Sequence, residues 1–508
     1  MATALKLRFA ALMITAEFHP VFSTFLVFAL AFVLRAVNVD TSYELHVDEF
    51  TYARLGASVA TGELPNLSGT NFFLHPPAFF ILVALFEFFL DAGSNSETAV
   101  FNLRWINVAL GAATASALML IGRQMGSTTV GILAAAIFSL DPFIVRQNSR
   151  VFLDTATIAW VAITWLMASR LYSRGQYRPA SWFGIGLVGG LAILTKDMAA
   201  FLIILPPALL ILFARQIRMQ TLLAAGAGAV LPYLVWILVV ISTGNWSVFW
   251  LSKSSGLARL FGAEQSTGYN VGAGTPSAVD AFVEQGLYYG PSYIIMAAGS
   301  SFGIWLLWRG PSLPLRFVGA VNSSAVVMIS YAMVFGTFEE QFLYFLIVPA
   351  IMACVLGASV LRMVKFSAAI RTGLVFLFGM IIVWSTAVWT TLHLLERDSA
   401  WAPMLSYVRA NLAPSDAVVV TSLDKFALTE FDRGDWYTAE ALRERDVQYA
   451  ILPSNLIEQR YTEITPDQAD FIESHGEVIY TTQSRTLGEL VLIKLDRDSI
   501  SSKPPVGQ

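Results

Sequence analysis

His46-Val47-Asp48-Glu49-Phe50-Thr51-Tyr52-Ala53-Arg54, then a Gly/Pro/Asn-rich stretch, then Asn71-Phe72-Phe73-Leu74-His75-Pro76-Pro77: the reading of this chain turns on that segment. It gathers adjacent carboxylates, two of the five histidines and a stiff Pro-Pro step directly after Val21–Val37, the first apolar run of membrane length. Charge beside lipid is costly, so its concentration there asks for a functional reason. Around it the chain is apolar. Of 508 residues 56% are hydrophobic and 13% charged, and mean hydropathy is +0.62, which fits a polytopic membrane protein far better than a soluble globule. The single cysteine, Cys354, lies in an apolar run, which excludes an internal disulfide.

Val21–Val37 follows Lys6 and Arg8 and shows no small-residue cleavage site, so it reads as an anchor and not as a removed signal. Ten further runs are predicted to cross: Phe101–Ile121, Thr128–Ile144, Thr155–Leu171, Trp182–Leu194, Ala199–Ala214, Leu222–Ile241, Leu287–Trp308, Leu315–Phe335, Phe342–Leu361 and Thr372–His393. Ala78–Leu90 is different. It is short, contains Glu87 and opens on two prolines, so an interfacial or re-entrant helix is expected. Treating it as non-crossing puts 13 of the 21 Lys and Arg of the first 395 residues on the cytoplasmic side, and the opposite parity reverses nearly every basic loop. The prediction is eleven spans, with the N-terminus cytoplasmic and the C-terminus outside. Of the 17 acidic residues in this part all but Glu17 then face outward, marking the outer face as the chemical one.

From Glu396 the composition becomes that of a soluble domain, with 19 acidic and 11 basic residues. Ala417–Thr421, Val447–Leu452, Val478–Thr481 and Leu490–Leu495 are strand-like, and Ala400–Asn411 and Pro466–His475 are helix-like, the latter with Thr465 as N-cap. The predicted organisation is a membrane domain over residues 1–395 with a first outer loop at 38–100, an extracytoplasmic α/β domain at 396–500 and a disordered tail at 501–508. No repeat, phosphate-cradling glycine loop or zinc-type Cys/His set is present, and no nucleic-acid partner is expected.

Among the outer-face charges, Asp48-Glu49 could serve as general base or bind a metal or a cation. Adjacent residues on a helix point apart, so one of the two at most is the base. Asp154 stands where a span leaves the surface, and N-capping that helix is its plain alternative role. Arg146, Arg150 and Lys196 break the positive-inside pattern. An anionic ligand would explain them, as would ion pairs of Lys196 with Asp197 or Arg150 with Asp154. Ser242–Gly286 mixes Trp246, Phe249, Trp250, Lys253 and Arg259, a composition for the headgroup level.

The ordered set of Asp48-Glu49 with Tyr52, His75-Pro76-Pro77, Arg104, Arg150 through Asp154 and Gly190-Leu191-Ala192-Ile193-Leu194-Thr195-Lys196 resembles the GT-C fold polyprenyl-phosphate-sugar-dependent glycosyltransferases. That group holds the protein O-mannosyltransferases and the lipid A aminoarabinose transferases. The resemblance implies a GT-C membrane domain that takes a sugar from a lipid-linked phosphate and gives it, usually with inversion, to a hydroxyl of a protein, lipid or glycan at the outer face of a cell membrane. It implies Asp48, with Glu49, as the catalytic carboxylates. His75, Arg104, Arg150, Asp154 and Lys196 would bind substrate, Arg150 and Lys196 at the departing phosphate. It fixes no cofactor; a divalent metal near Asp48-Glu49 is one option. Relatives carry Glu-Lys-Pro where this chain has Leu74-His75-Pro76, and often a basic residue where it has Gln341. The competing expectation is a transporter or lipid flippase with an outer accessory domain, which would also need many spans and charge near lipid.

Overall fold

The computed structural model describes residues 20–67, 69–90, 97–214, 218–261, 263, 278–335, 338–363, 368–421, 427–459 and 462–501. Lys6 and Arg8, and the tail beyond Ser501, lie outside these. Among the described residues six helices are long and apolar enough to cross a bilayer by themselves: Glu97–Met125, Met219–Ser242, Gly286–Arg309, Leu313–Val334, Glu340–Leu361 and Arg371–Leu395. The other expected crossings fall on the shorter Pro20–Ala36, Pro179–Thr195 and Asp197–Phe213, on Leu153–Ser173, and on a bent pair. Leu343–Met363 runs through the middle of the bundle, its Tyr344, Phe345, Ile347 and Val348 fully buried. Val21, Phe25, Leu223, Leu238, Phe376 and Val383 point outward, the apolar rind a lipid-facing bundle needs.

The bent pair corrects one expected span. Thr128–Ile144 is not continuous: Thr128–Leu140 and Pro142–Asn148 meet at 68°. Pro142 has no N–H for the preceding turn, and Asp141 caps the new helix by accepting from the Ile144 N–H at 3.0 Å. The second piece turns aside and carries Arg146 to Glu340, just before Leu343–Met363.

Ala78–Leu90 packs on Val47–Ala60 through the close Gly56–Val83 approach. Phe79, Phe80 and Val83 share a core with Trp401, Met404, Leu405, Val418 and Leu492 of the C-terminal region. The helix is thus packed against the C-terminal region. That C-terminal region is a five-stranded mixed sheet ordered Asp432–Gly434, Ala417–Val419, Tyr449–Pro453, Gly488–Leu495, Gly476–Ser484. The first three strands are parallel, and the last two join antiparallel. Trp401–Asn411 and Pro466–Ser474 are the two expected helices, the second with the capping box Thr465/Gln468. Asp432–Gly434 was not legible in sequence, being charged and only three residues long.

Candidate functional site

The site is built around the start of the Val47–Ala60 helix. His46 is its N-cap: Nδ1 accepts from the Asp48 N–H at 3.2 Å, and Glu49 Oε2 accepts from the His46 N–H at 3.0 Å. An Nδ1 lone pair committed this way keeps His46 neutral, and burial followed by the Arg150 cation holds its pKa down at about 3. The 3.8 Å approach of His46 to Asp48 is therefore not an ion pair.

Asp48 and Glu49 point apart, as helical spacing requires. Glu49 is fully buried and occupied, accepting from Arg104 Nε at 2.9 Å, Arg104 Nη2 at 2.7 Å and the Val151 N–H at 2.8 Å. Burial opposes its charge, but Arg104 more than offsets that and its pKa is lowered. Arg104 spends its remaining donors on the carbonyls of Val39, Tyr43 and Glu44. The pair thus clamps the first outer loop to the Glu97–Met125 helix and to the segment after Asn148. Arg104, expected at the substrate, is committed to Glu49 and the loop backbone. Asp48 is the available carboxylate. Its side chain is 36% exposed, yet the surrounding protein, outweighing the nearby Lys196 ammonium, raises its pKa to about 6.

The two ion pairs anticipated as competing roles, Lys196 with Asp197 and Arg150 with Asp154, do not form. Lys196 Nζ donates to Asp154 Oδ1 at 2.7 Å, with both groups buried, and lies over the rings of Phe342 and Phe345. Asp154 does not cap its helix, whose N-cap is Phe152. Asp197 instead takes Lys253 at 2.6 Å and the Tyr233 hydroxyl at 2.7 Å. Arg146 pairs with Glu340 at 3.0 Å and Arg259 with Glu339 at 3.1 Å. His75 lies against Tyr52 and Phe72, where burial and then the Lys196, Lys253 and Arg259 cations hold it neutral, well below its ordinary pKa.

Arg150 has no carboxylate within ion-pair distance among the described residues. It is 3% exposed, its Nε is buried without a partner, and its guanidinium leans on Tyr43 at 5.8 Å and Phe152 at 5.9 Å. Burial, then Arg146, lower its pKa to about 10, so it remains charged. Its backbone is pinned: Asn107 donates to the Arg150 carbonyl and, at 2.8 Å, to that of Phe152, and Glu49 holds the Val151 N–H between them. The structure thus brings Asp48, Asp154, Lys196 and His75 to one side of the Val47–Ala60 N-terminus and Arg150 to the other. Sequence reasoning missed Tyr43, Glu44, Asp398 and Arg485, which surround Arg150 or fasten the loop before it. Nothing in their sequence neighbourhoods signals this, because they meet only through the docking of the C-terminal sheet. As for a metal, among the described residues no three His, Cys, Asp or Glu side chains converge as a ligand set, so the donors present do not fit one and no step is derived through it.

A bundle of crossing helices with broken elements at one end, acidic and basic side chains gathered there, and a small sheet docked over them define the class: this is the GT-C fold. Residues 74–246 match the family model described as dolichyl-phosphate-mannose-protein mannosyltransferase, a match that takes in His75, Arg104, Arg150, Asp154 and Lys196 but begins after Asp48. No curated protein matches the chain in sequence. Among solved structures, ArnT from Cupriavidus metallidurans bound to undecaprenyl phosphate superposes with a TM-score of 0.58 at 14% identity, over 94% of this chain and 98% of that one. The archaeal oligosaccharyltransferase AglB from Archaeoglobus fulgidus, in complex with an inhibitory peptide and a dolichol-phosphate, superposes with 0.56 at 11% identity, over 93% and 74%. The expected resemblance to the GT-C glycosyltransferases is borne out at the level of fold.

Proposed function

We propose that the protein is a membrane glycosyltransferase that moves a sugar from a polyprenyl-phosphate donor to an acceptor hydroxyl at the extracytoplasmic face. One observation carries this reading. Once Glu49–Arg104, Asp154–Lys196, Asp197–Lys253, Glu339–Arg259 and Glu340–Arg146 are matched, the site residues retain one unpaired carboxylate, Asp48, and one unpaired cation, Arg150. A base and an anion holder on either side of one helix start are what a displacement at a sugar phosphate requires. Keeping a guanidinium buried without a counter-charge costs several kcal/mol, roughly, which a bound anion would recover.

In this reaction the acceptor oxygen attacks the anomeric carbon and its proton passes to Asp48. The bond from that carbon to the phosphate oxygen breaks, and the electron pair leaves with the polyprenyl phosphate. A single displacement inverts the anomeric centre. The leaving group departs with its own charge and needs cations more than a proton, so Arg150 is most useful as that charge grows. Lys196 supports it from its tether on Asp154. The family match over residues 74–246 and the lipid phosphates named with ArnT and AglB support the donor class. The acceptor, whether protein, lipid or glycan, is the open choice.

The test is consumption of a panel of radiolabelled polyprenyl-phosphate sugars by the purified chain in lipid nanodiscs, with the product identified by mass spectrometry. Wild type should convert at least one donor and Asp48→Asn none appreciably. Failure of folded wild type to convert any donor, or movement of intact donor across a bilayer, would favour the transporter reading.

A further inference from the structure

We infer that the phosphate pocket at Arg150 is completed from the C-terminal sheet, by Arg485 on the turn between Gly476–Ser484 and Gly488–Leu495, together with Tyr43 of the first outer loop. This rests on the reading that Arg150 holds the donor phosphate.

Among the described residues, Tyr43 Oη, Arg150 Nε and Arg485 Nη1 are buried without a hydrogen-bond partner, and so is Ser149 Oγ, next to Arg150 in the chain. Tyr43, Ser149 and Arg150 are each at least 97% buried. Buried donors are ordinarily satisfied, so such donors on neighbouring groups signal a partner that the described residues do not supply. All four atoms can donate and two are cationic, which selects an anion with several acceptor oxygens over a metal or a neutral sugar. The two arginines are linked through packed rings: Arg150 lies over Tyr43, and Arg485 lies at 5.4 Å over Tyr288, which packs in one cluster with Tyr43. Arg485, Arg146 and Arg150 all act electrostatically on the Tyr43 hydroxyl.

The turn that presents Arg485 is held from both sides. Asp398 accepts from the Thr486 N–H at 2.9 Å, its hydroxyl at 2.7 Å and Arg485 Nη2 at 3.1 Å, while the Asp398 N–H donates to the Thr41 carbonyl at 2.9 Å. Glu44, beside Tyr43, accepts from the Ala400 and Trp401 N–H groups at 2.6 and 3.2 Å. Arg485 Nη1 stands 3.7 Å from Glu396 and makes no hydrogen bond there, so it remains able to turn to a ligand. The demand for it rises during the reaction. A polyprenyl-phosphate sugar is a phosphodiester with one negative charge, and the product monoester carries about −1.5 to −2 at pH 7.

The experiment titrates a short-chain polyprenyl phosphate onto the full-length protein in nanodiscs and compares Arg150→Gln, Arg485→Gln, their combination and Thr486→Val. Thr486→Val loosens the turn but keeps the cation. Each arginine variant should bind about tenfold or more weakly, and the double variant should lose less than the product of the two, as for two groups gripping one anion. Thr486→Val should bind close to wild type. Weakened binding in Arg150→Gln with wild-type binding in Arg485→Gln would overturn the contribution of the C-terminal sheet and leave the donor reading standing. Wild-type binding in both would overturn the donor reading as well. Equal losses in Arg485→Gln and Thr486→Val would make Arg485 a strut of the turn and sink the inference.

Discussion

At the scale of the residue, the site is decided by which charges are left over. Asp48 and Glu49 are neighbours of nearly the same chemistry, yet only Glu49 reaches Arg104 and the Val151 N–H. Asp48→Asn should lower turnover by about 10²–10⁴-fold with donor binding retained, as expected on removing a general base. Glu49→Gln should instead lower the melting temperature, because one partner of a fully buried pair is then lost, at a cost of about 3–5 kcal/mol. If Glu49→Gln melted like wild type while Asp48→Asn unfolded, the two roles would be exchanged. The pH profile adds a second check. The Asp48 carboxyl is raised to about 6 and the base works only as carboxylate, so the rate should climb with pH through about 6 and be lost below it. An ascending limb centred near 4 would mean that a less crowded acid takes the proton. That Asp48-Glu49 is a candidate could be read from the sequence; that Lys196 pairs with Asp154 and not with Asp197 could not, since the partners are 42 residues apart and meet only when two helix ends converge.

At the scale of the element, Lys196 is delivered by the Pro179–Thr195 helix, whose C-cap it is. That helix is seated against Met219–Ser242 by glycines: a Cβ on Gly186 would stand 2.1 Å from the Ala225 carbonyl oxygen, and one on Gly228 2.2 Å from that of Phe183. Backbones this close use small residues in place of a hydrophobic driving force, which lipid cannot supply. Gly186→Ala should therefore overpack the seam, destabilise the protein by about 1–3 kcal/mol and reduce turnover by displacing Lys196. Gly184→Ala, two residues earlier and facing open space, should do neither. Thermal melts and steady-state rates on the two variants check this; equal behaviour would show that the seam does not set the position of Lys196. The apolar character of both helices could be read from composition, but not their mutual seating, which needs the partner's carbonyls.

At the scale of the whole molecule, the 13-to-8 division of basic residues motivates the proposed orientation, in which the C-terminal sheet packed on Ala78–Leu90 faces outward. Arg174 and Asp435 are both exposed and stand on opposite sides in this arrangement. With native Cys354 buried, Arg174→Cys in intact cells should be shielded from an impermeant thiol reagent and Asp435→Cys should react. The reverse pattern would place the C-terminal sheet, and with it the site, on the cytoplasmic side.

The sequence by itself determined that this chain lies in a membrane and that a small α/β region follows the bundle, and it singled out Asp48-Glu49 as the candidate site. Those properties reside in local composition, hydrophobic run length and the order of short motifs, none of which depends on a distant partner. Only the tertiary structure decided which charges are consumed by one another, that Pro142 breaks an expected span, and that Arg150 and Arg485, 335 residues apart, both act on the Tyr43 hydroxyl. Pairing of buried charge depends on distances of a few ångströms between segments remote in the chain, and residue identity carries no such distance.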